Sequence, residues 1–251
     1  MSLSLTQFLE IIEDENTIII DARPLISLRE GFIQSALHIT PSTAKYAIAM
    51  DIINKESPIV FILEPSIAEE TLAYFTKAGF THIKGFLEGG FHTWITAQKK
   101  YDLIIEVEVD ELAMDIPFDE YLMILDVRSE EDFNKSHIQN AVSLPLADMG
   151  DPGSMSELDE HFNIYILSEN GEHSTLAASL LKKQGIHNVR IVTGGWQAVQ
   201  TLAEKLKFEE SLLKEILFDE TLKFRKKLYV ETVSKSLRYS LRNFGENLYF
   251  E

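Results

Sequence analysis

The amino-acid sequence repeats itself at an offset of about 105 residues, and this repeat limits the chain to a duplicated domain. The segment 21–23, Asp-Ala-Arg, recurs as Asp-Val-Arg at 126–128. The segment 89–91, Gly-Gly-Phe, recurs as Gly-Gly-Trp at 194–196. Self-similarity that is sustained over two whole blocks of sequence predicts two copies of one domain.

Short apolar runs alternate with segments of helical spacing in both copies. Strands that alternate with helices predict an α/β fold, in which each copy is a doubly wound parallel sheet with helices on both faces. The predicted helices of the first copy are Thr6–Glu13, with Thr6 as N-cap, Leu25–Arg29, Thr43–Ile53, Ser66–Ala78, with Ser66 and Glu69 as a capping box, and Phe91–Gln98. The predicted strands of the first copy are Thr17–Asp21, Pro58–Leu63 and His82–Lys84. The second copy is predicted to contain strands Tyr121–Asp126, Ile164–Leu167 and Val189–Val192, helices Ser174–Gln184 and Trp196–Leu202, and a surface loop at Met149–Glu160.

The repeat divides the chain into a first domain at 1–104 and a second at 105–204. Residues 205–244 match neither copy, and apolar residues recur at roughly helical intervals over Leu206–Lys227. This C-terminal extension is expected to pack on the domains, to join two chains in a homodimer, or to lead into a further domain, and its periodicity does not choose among these. Residues 245–251 resemble a tobacco-etch-virus protease site left from an expression tag and are set aside.

Composition and charge disfavour several classes of protein. The net charge is −17, and residues 1–204 alone carry 32 Asp and Glu against 13 Lys and Arg, so binding to nucleic acid or to an anionic membrane surface is not expected. No apolar run approaches the ~20 residues that cross a bilayer, and no secretory signal is recognisable. The absence of cysteine excludes disulfides and thiolate metal sites and favours a cytoplasmic location. The seven histidines show no metal-ligand spacing, so neither a metal nor a cofactor is expected.

The stretch from Ile124 to Leu146 resembles the signature of the rhodanese, or thiosulfate sulfurtransferase, family. The resemblance rests on Asp126, Arg128, Phe133 and His137 with the residues that follow it. It covers about residues 1–203, and it implies two tandem rhodanese-like domains.

The resemblance also implies roles for particular residues. The charged pairs Asp21 with Arg23 and Asp126 with Arg128 would brace the turn after a strand. The active-site loop would follow the strand Ile164–Leu167, at the carboxyl end of the sheet, where ligands bind in folds of this class.

The loop after that strand reads Ser168, Glu169, Asn170, Gly171, Glu172, His173 and Ser174. The resemblance implies that, in active rhodaneses, the residue at the position of Ser168 is a cysteine that carries a persulfide, and the residue at the position of His173 is an arginine. A serine oxygen does not hold a transferable sulfur, because that chemistry needs a polarizable thiolate. Glu169 and Glu172 add negative charge that opposes anion capture. The corresponding loop of the first copy, Leu63–Glu69, has no glycine, so both copies are expected to lack sulfurtransferase activity.

The leading interpretation is therefore a catalytically inactive tandem rhodanese-like protein that acts as a binding or regulatory module, with a protein partner or a small anion as its ligand. One alternative is a hydrolytic enzyme with Ser168 as nucleophile and His173 as base. No acid is evidently placed to orient His173, and no Gly-x-Ser-x-Gly elbow surrounds Ser168. Another alternative is a regulatory part of a larger multidomain protein.

Overall fold

Two five-stranded parallel sheets form the framework of the protein. The computed structural model describes residues 1–158, 160–203 and 248–250. The first copy contains β1 (Ser2–Leu3), α1 (Leu5–Ile12), β2 (Ile18–Asp21), β3 (Leu37–His38), α2 (Pro41–Ala49), β4 (Ile59–Ile62), α3 (Ala68–Lys77), β5 (Ile83–Leu87) and α4 (Gly90–Thr96). The second copy contains β6 (Ile105–Val107), α5 (Val109–Asp115), β7 (Leu122–Asp126), α6 (Glu130–Lys135), β8 (Ser136–Ile138), β9 (Val142–Ser143), β10 (Asn163–Leu167), α7 (Ser174–Lys183), β11 (Val189–Val192) and α8 (195–203).

The two sheets have the same topology. The strand order is β1-β5-β4-β2-β3 in the first and β6-β11-β10-β7-β9 in the second, and each strand pairs in parallel with its neighbours. Corresponding strands thus occupy corresponding places, which confirms the predicted α/β fold and the duplication. A last strand, β12 (Leu248–Phe250), pairs antiparallel with β8 and lies in the tag-like stretch.

Apolar side chains cover both faces of the second sheet, as a parallel sheet requires. Ile164 and Ile166 of β10 belong to a large cluster that is continuous with the core of the first copy. Tyr165 and Leu167 point to the opposite face and pack in a smaller cluster with side chains of α5 and α8. The alternation along β10 therefore joins the two copies on one face and buries two helices on the other.

Asp102, in the segment that links the two copies, forms hydrogen bonds with residues at the end of α7 and just after it. The Nζ of Lys182, a residue that is only 3% exposed, donates to Oδ1 of Asp102 over 3.1 Å and to the carbonyl oxygen of His187 over 2.8 Å. The Nδ1 of His187 lies 2.8 Å from Oδ2 of the same Asp102. Burial of the lysine is compensated because its charge is paired and hydrogen-bonded.

Three predicted helix starts were wrong, for local reasons. The helix α1 begins at Leu5, because Ser4 rather than Thr6 caps it and forms a capping box with Gln7. The predicted box of Ser66 with Glu69 does not form, because Pro65–Ile67 makes a 3₁₀ turn and α3 starts only at Ala68. The helix predicted at Thr43–Ile53 lies at Pro41–Ala49, after the N-cap Thr40.

The segment predicted as a surface loop at Met149–Glu160 is partly buried. Two 3₁₀ turns, Leu146–Gly150 and Pro152–Met155, fold the side chains of Met149 and Met155 into the shared core, where they are 1% and 3% exposed. Among the described residues, no helix is long and apolar enough to cross a bilayer. The predicted extension at 205–244 lies outside the described residues.

Candidate functional site

The loop 168–174 lies at the carboxyl edge of the second sheet, between the central strand β10 and the first turn of α7. The first turn of α8 holds it from the other side. The amide of Trp196 donates to the carbonyl oxygen of Ser168 over 2.8 Å, and the amide of Gln197 donates to that of Glu169 over 3.0 Å. The backbone of the loop is therefore fixed by two helices and a strand.

The hydroxyl of Ser168 lies inside this loop and is almost removed from solvent. Ser168 is 2% exposed. Its Oγ accepts a hydrogen bond from the amide of Gly171 over 3.1 Å and another from the hydroxyl of Ser174 over 2.9 Å. The loop thus still points two donors at the atom of residue 168 that would carry the reactive group in a thiol enzyme.

The paired glycines at 194 and 195 allow α8 to approach the loop. Gly195 has a φ of +57°, and a Cβ on it would lie 2.1 Å from the carbonyl oxygen of Ser168 and 2.7 Å from the amide nitrogen of Gly171. Only glycine fits at this position without displacing backbone atoms. The sequence-based interpretation of this pair as a tight turn between strand and helix agrees with its place between β11 and α8.

Negative charge dominates the rim of the loop. Glu169 has a side chain that is 53% exposed, and its Oε2 lies 4.0 Å from Nη1 of Arg128. Glu172 is exposed, and its amide donates to Oδ1 of Asn170 over 3.1 Å. The rim therefore places two carboxylates where an anionic substrate would have to enter.

His173 does not supply a compensating positive charge. Its ring packs on the ring of Tyr46 in the first copy, with 4.4 Å between centroids and an angle of 33° between planes. Burial lowers the pKa of His173 below its usual value, although the nearby Glu172 opposes the shift. The imidazole is therefore neutral near pH 7.

Asp126 and Arg128 form a buried pair below the loop. The Nη2 of Arg128 donates to Oδ2 of Asp126 over 2.7 Å and to the carbonyl oxygen of Ser136 over 2.7 Å. Its guanidinium also lies 4.2 Å from the centroid of the Trp196 ring. The pair thus ties the end of β7 to β8 and α8.

Asp21 and Arg23 repeat this arrangement in the first copy. The Nη2 of Arg23 donates to Oδ2 of Asp21 over 2.6 Å and to the carbonyl oxygen of Gly31 over 2.8 Å. Its guanidinium lies 4.3 Å from the centroid of the Phe91 ring. The contacts with an aspartate, a carbonyl oxygen and an aromatic ring thus recur in both copies, although the loops beside them differ.

His137, which the sequence singled out with these pairs, packs on α6. Its Nδ1 lies 2.9 Å from the carbonyl oxygen of Phe133, and the two rings stack at 4.0 Å between centroids. These contacts place it at the junction of α6 and β8.

The equivalent loop of the first copy has a different backbone. Leu63, the counterpart of Ser168, is fully buried, and the 3₁₀ turn Pro65–Ile67 follows it. Pro65 has no amide hydrogen, so this loop cannot direct the same set of donors inward. We call the two donors aimed at the side chain of residue 168, the Gly171 amide and the Ser174 hydroxyl, the cradle, and the described loop of the first copy shows no equivalent pair.

Two side chains of the first copy reach the second copy's loop and helix, and the sequence analysis did not identify them. Tyr46 of α2 covers His173, and His38 of β3 contacts Thr175 through Nδ1 over 2.8 Å. The second contact spans 137 residues of sequence, and neither residue lies in a motif, so no local signal could have revealed it.

Within the described residues, no group of three or more His, Cys, Asp or Glu could hold a metal ion.

Comparison with known proteins agrees with this geometry. The family model described as "Rhodanese-like domain" matches residues 4–97 and 108–202. These two matches cover most of the chain and correspond to the two sheets with their helices. The chain therefore belongs to the rhodanese-like family, as the sequence motif predicted.

Two curated relatives match parts of the chain. The "Putative sulfur carrier protein YrkF" of Bacillus subtilis is 35% identical over 121 residues, which are 48% of this chain and 62% of that protein. The "Adenylyltransferase and sulfurtransferase UBA4" of Candida glabrata is 36% identical over 83 residues, which are 30% of this chain and 19% of that protein. The chain thus matches less than two thirds of the length of either relative.

Among solved structures, the 3-mercaptopyruvate sulfotransferase SseA of Escherichia coli aligns over 78% of this chain and 98% of its own, with 18% identity and a TM-score of 0.33. The rhodanese-like domain of the Anabaena protein Alr3790 aligns over 39% of this chain and 74% of its own, with 26% identity and a TM-score of 0.36. At these TM-scores the likenesses add nothing to the family assignment.

Proposed function

We propose that this tandem rhodanese-like protein does not transfer sulfur and acts by binding a partner at the 168–174 loop of its second domain. One observation carries the proposal: the loop keeps two donors aimed at the side-chain atom of residue 168, but that atom is the hydroxyl oxygen of a serine. That oxygen already accepts hydrogen bonds from Gly171 and Ser174. The chain contains no cysteine that could supply a thiol in place of this hydroxyl.

The chemistry of sulfur transfer explains why the hydroxyl is not a substitute. A sulfane sulfur is taken from a donor by a thiolate, held as a persulfide, and passed to an acceptor nucleophile. A serine hydroxyl ionises only at very high pH, and its small, hard oxygen does not form a comparably reversible bond to sulfur. The kinship with sulfur carriers and sulfurtransferases therefore supports a shared scaffold rather than a shared reaction.

The charge of the rim favours a protein partner over a small anion. Glu169 and Glu172 are exposed, and the neutral His173 adds no positive charge. A protein that contacts the rim with basic or neutral polar groups would meet these carboxylates favourably. Sulfate or thiosulfate would be repelled, even though the amide of Gly171 and the hydroxyl of Ser174 point inward.

Two assays on the full chain test this proposal. In a thiosulfate–cyanide assay, with a cysteine-containing rhodanese as the positive reference, we expect thiocyanate formation at the level of buffer alone. In a sulfate titration followed through the amide resonances of residues 168–174, we expect no saturable shift. Saturable turnover in the first assay would overturn the assignment as inactive.

A charge variant sharpens the second assay. Replacing both rim acids, as Glu169→Gln with Glu172→Gln, should allow sulfate to bind, because the inward donors of Gly171 and Ser174 remain and the repulsion is removed. The matched control replaces the two acids of the first copy's loop, as Glu64→Gln with Glu69→Gln. It should not gain sulfate binding, because that loop has no cradle.

The geometry does not support hydrolysis by Ser168. A general base must lie within hydrogen-bonding reach of the nucleophile, yet the His173 ring packs on Tyr46. Within the part of the chain that the structure describes, no histidine nitrogen is hydrogen-bonded to Ser168 Oγ. Labelling of the protein with a fluorophosphonate probe should therefore be absent, and labelling at Ser168 would support the hydrolytic alternative.

A further inference from the structure

The second copy exposes large apolar side chains at the end of α5. Met114, Phe118 and Tyr121 are 49%, 72% and 54% exposed. They lie in α5 and the turn that leads from it into β7. We call the exposed side chains of residues 110–121 the α5 surface. Apolar groups clustered on one turn of a soluble protein commonly mark a contact surface.

The first copy shows that the fold does not require these side chains. The offset of the repeat places Glu13 opposite Phe118 and Asn16 opposite Tyr121. Among residues 5–17, which form α1 and its following turn, no large apolar side chain is exposed to that degree. The apolar character of the α5 surface is therefore specific to the second copy.

The α5 surface is also strongly acidic. Residues 110–121 contain five Asp and Glu and no Lys or Arg. Residues 205–244 carry the opposite balance, with ten Lys and Arg against six Asp and Glu. Within that segment, Leu213, Ile216 and Leu217 have the spacing of an apolar helical stripe. The chain thus supplies a basic, apolar segment that complements an acidic, apolar surface.

The chain leaves the second domain beside this surface. The strands β6 and β11 are parallel neighbours, and the helices that follow them, α5 and α8, pack on the same face of the sheet. Both helices run back from the carboxyl edge, so both end at the amino edge. Leu202 at the end of α8 and Ile116 after α5 pack against the same apolar cluster. The described part of α8 therefore ends at the same edge of the sheet as the apolar end of the α5 surface.

We propose that the C-terminal segment 205–244 binds the α5 surface of its own chain, with its apolar stripe on Met114, Phe118 and Tyr121 and its basic side chains beside the acids. This assignment goes beyond the function proposed for the 168–174 loop. Residues 114–121, which carry the three apolar side chains, lie at the end of the α5 surface that is nearer the amino edge of the second sheet, whereas the loop lies at the carboxyl edge. A segment bound at that apolar end would leave the loop accessible to a partner.

The absence of native cysteines permits a direct test on the full chain. A single cysteine at Glu120→Cys is coupled to a maleimide–benzophenone probe, irradiated, and the crosslinked peptides are mapped by mass spectrometry. The matched control is Glu15→Cys, an exposed glutamate at the same place in the first copy. We expect crosslinks to 205–244 from position 120 in a yield several times that from position 15. Equal yields from the two positions would overturn the proposal.

Two further measurements separate the remaining outcomes. Adding Phe118→Ser and Tyr121→Ser to the Glu120→Cys chain should reduce the yield several-fold while the far-ultraviolet circular dichroism stays unchanged. An unchanged yield would show that the apolar surface is not the binding site. Mixing chains labelled with ¹⁴N and ¹⁵N identifies crosslinks that join two different molecules. If most crosslinks were of this kind, the proposed binding within one chain would be wrong and 205–244 would instead form a homodimer.

Discussion

The imidazole of His38 joins the first copy to the second: its Nδ1 lies 2.8 Å from the Oγ1 of Thr175, in the first turn of α7. Its Nε2 lies 2.9 Å from the carbonyl oxygen of Arg23, and its backbone amide donates to Oγ of Ser179 over 3.0 Å. A carbonyl oxygen only accepts, so the neutral ring carries its proton on Nε2 and accepts at Nδ1. The first domain thus positions the helix that starts at the candidate site.

This histidine should make the stability of the protein depend on pH. Burial lowers the pKa of His38 below the usual 6.5, although Asp21 opposes the shift. Below pH 6.5 the His38 imidazole binds a proton in the unfolded chain but stays neutral in the folded chain. The free energy of unfolding therefore falls as the pH falls toward the pKa of the folded state. Urea unfolding between about pH 7.5 and 5.5 should show a weaker dependence for His38→Gln than for the parent chain. The same slope in both chains would contradict this assignment.

Restoring the thiol should restore the first half of the sulfur chemistry. In Ser168→Cys, the donors from Gly171 and Ser174 would face a sulfur atom and stabilise its thiolate. After incubation with thiosulfate, the thiolate should take the outer sulfur and release sulfite, slowly because Glu169 and Glu172 repel the anion, so that the intact mass increases by one sulfur atom; cyanide should then remove this sulfur as thiocyanate. Adding His173→Arg should speed the loading, because the arginine attracts the anionic donor.

A thiol at the equivalent place in the first copy supplies the control for this experiment. Leu63→Cys lies in a loop that has Pro65 and a 3₁₀ turn in place of the cradle. It should remain unmodified by thiosulfate. Equal loading of both variants would show that the shape of the 168–174 loop is irrelevant to the reaction.

Substitution of Gly195 should damage the loop more than substitution of another glycine with positive φ. In Gly195→Ala, the new methyl group would collide with backbone atoms of Ser168 and Gly171, whereas at Gly185 (φ +91°) nothing lies within 4 Å of the added carbon. Gly185→Ala should cost about 1–3 kcal/mol of stability through backbone strain alone. Gly195→Ala should cost more and should shift the amide resonances of 168–171. A smaller loss for Gly195→Ala would contradict the close approach of α8.

Removal of the guanidinium of Arg128 should be strongly destabilising. Arg128→Ala would leave Asp126, which is fully buried, without its ionic partner. Breaking a buried pair on one side costs about 3–5 kcal/mol, measurable by urea unfolding. Lys135→Ala removes an exposed lysine from its pairs with Glu131 and Asp132 and serves as the control, since a loss of stability there should be hard to detect.

Much of this architecture could be predicted from the sequence. The repeat revealed two domains, and the alternation of strands with helices revealed a parallel sheet in each. The position of Ser168 followed from the same pattern, because the end of an apolar strand marks the edge where loops carry function. Such features are local, or they recur at a constant offset, so they can be recognised from the spacing of residue types along the chain.

Other predictions failed where several local signals compete. Thr6 and Ser66 both have the residue type of an N-cap, but Ser4 has its partner Gln7 three residues on, and Pro65 favours a 3₁₀ turn over a capped start. The 149–160 segment has the composition of a surface loop, although Met149 and Met155 are buried in the core that the two copies share.

The sequence by itself determined the duplication, the class of fold and the absence of any thiol, because each depends only on residue type and spacing. Only the tertiary structure decided that Tyr46 covers His173 and that His38 contacts Thr175. Those contacts join residues more than a hundred positions apart. They arise from how the two sheets pack against each other, and packing between distant side chains leaves no periodic signal along the chain.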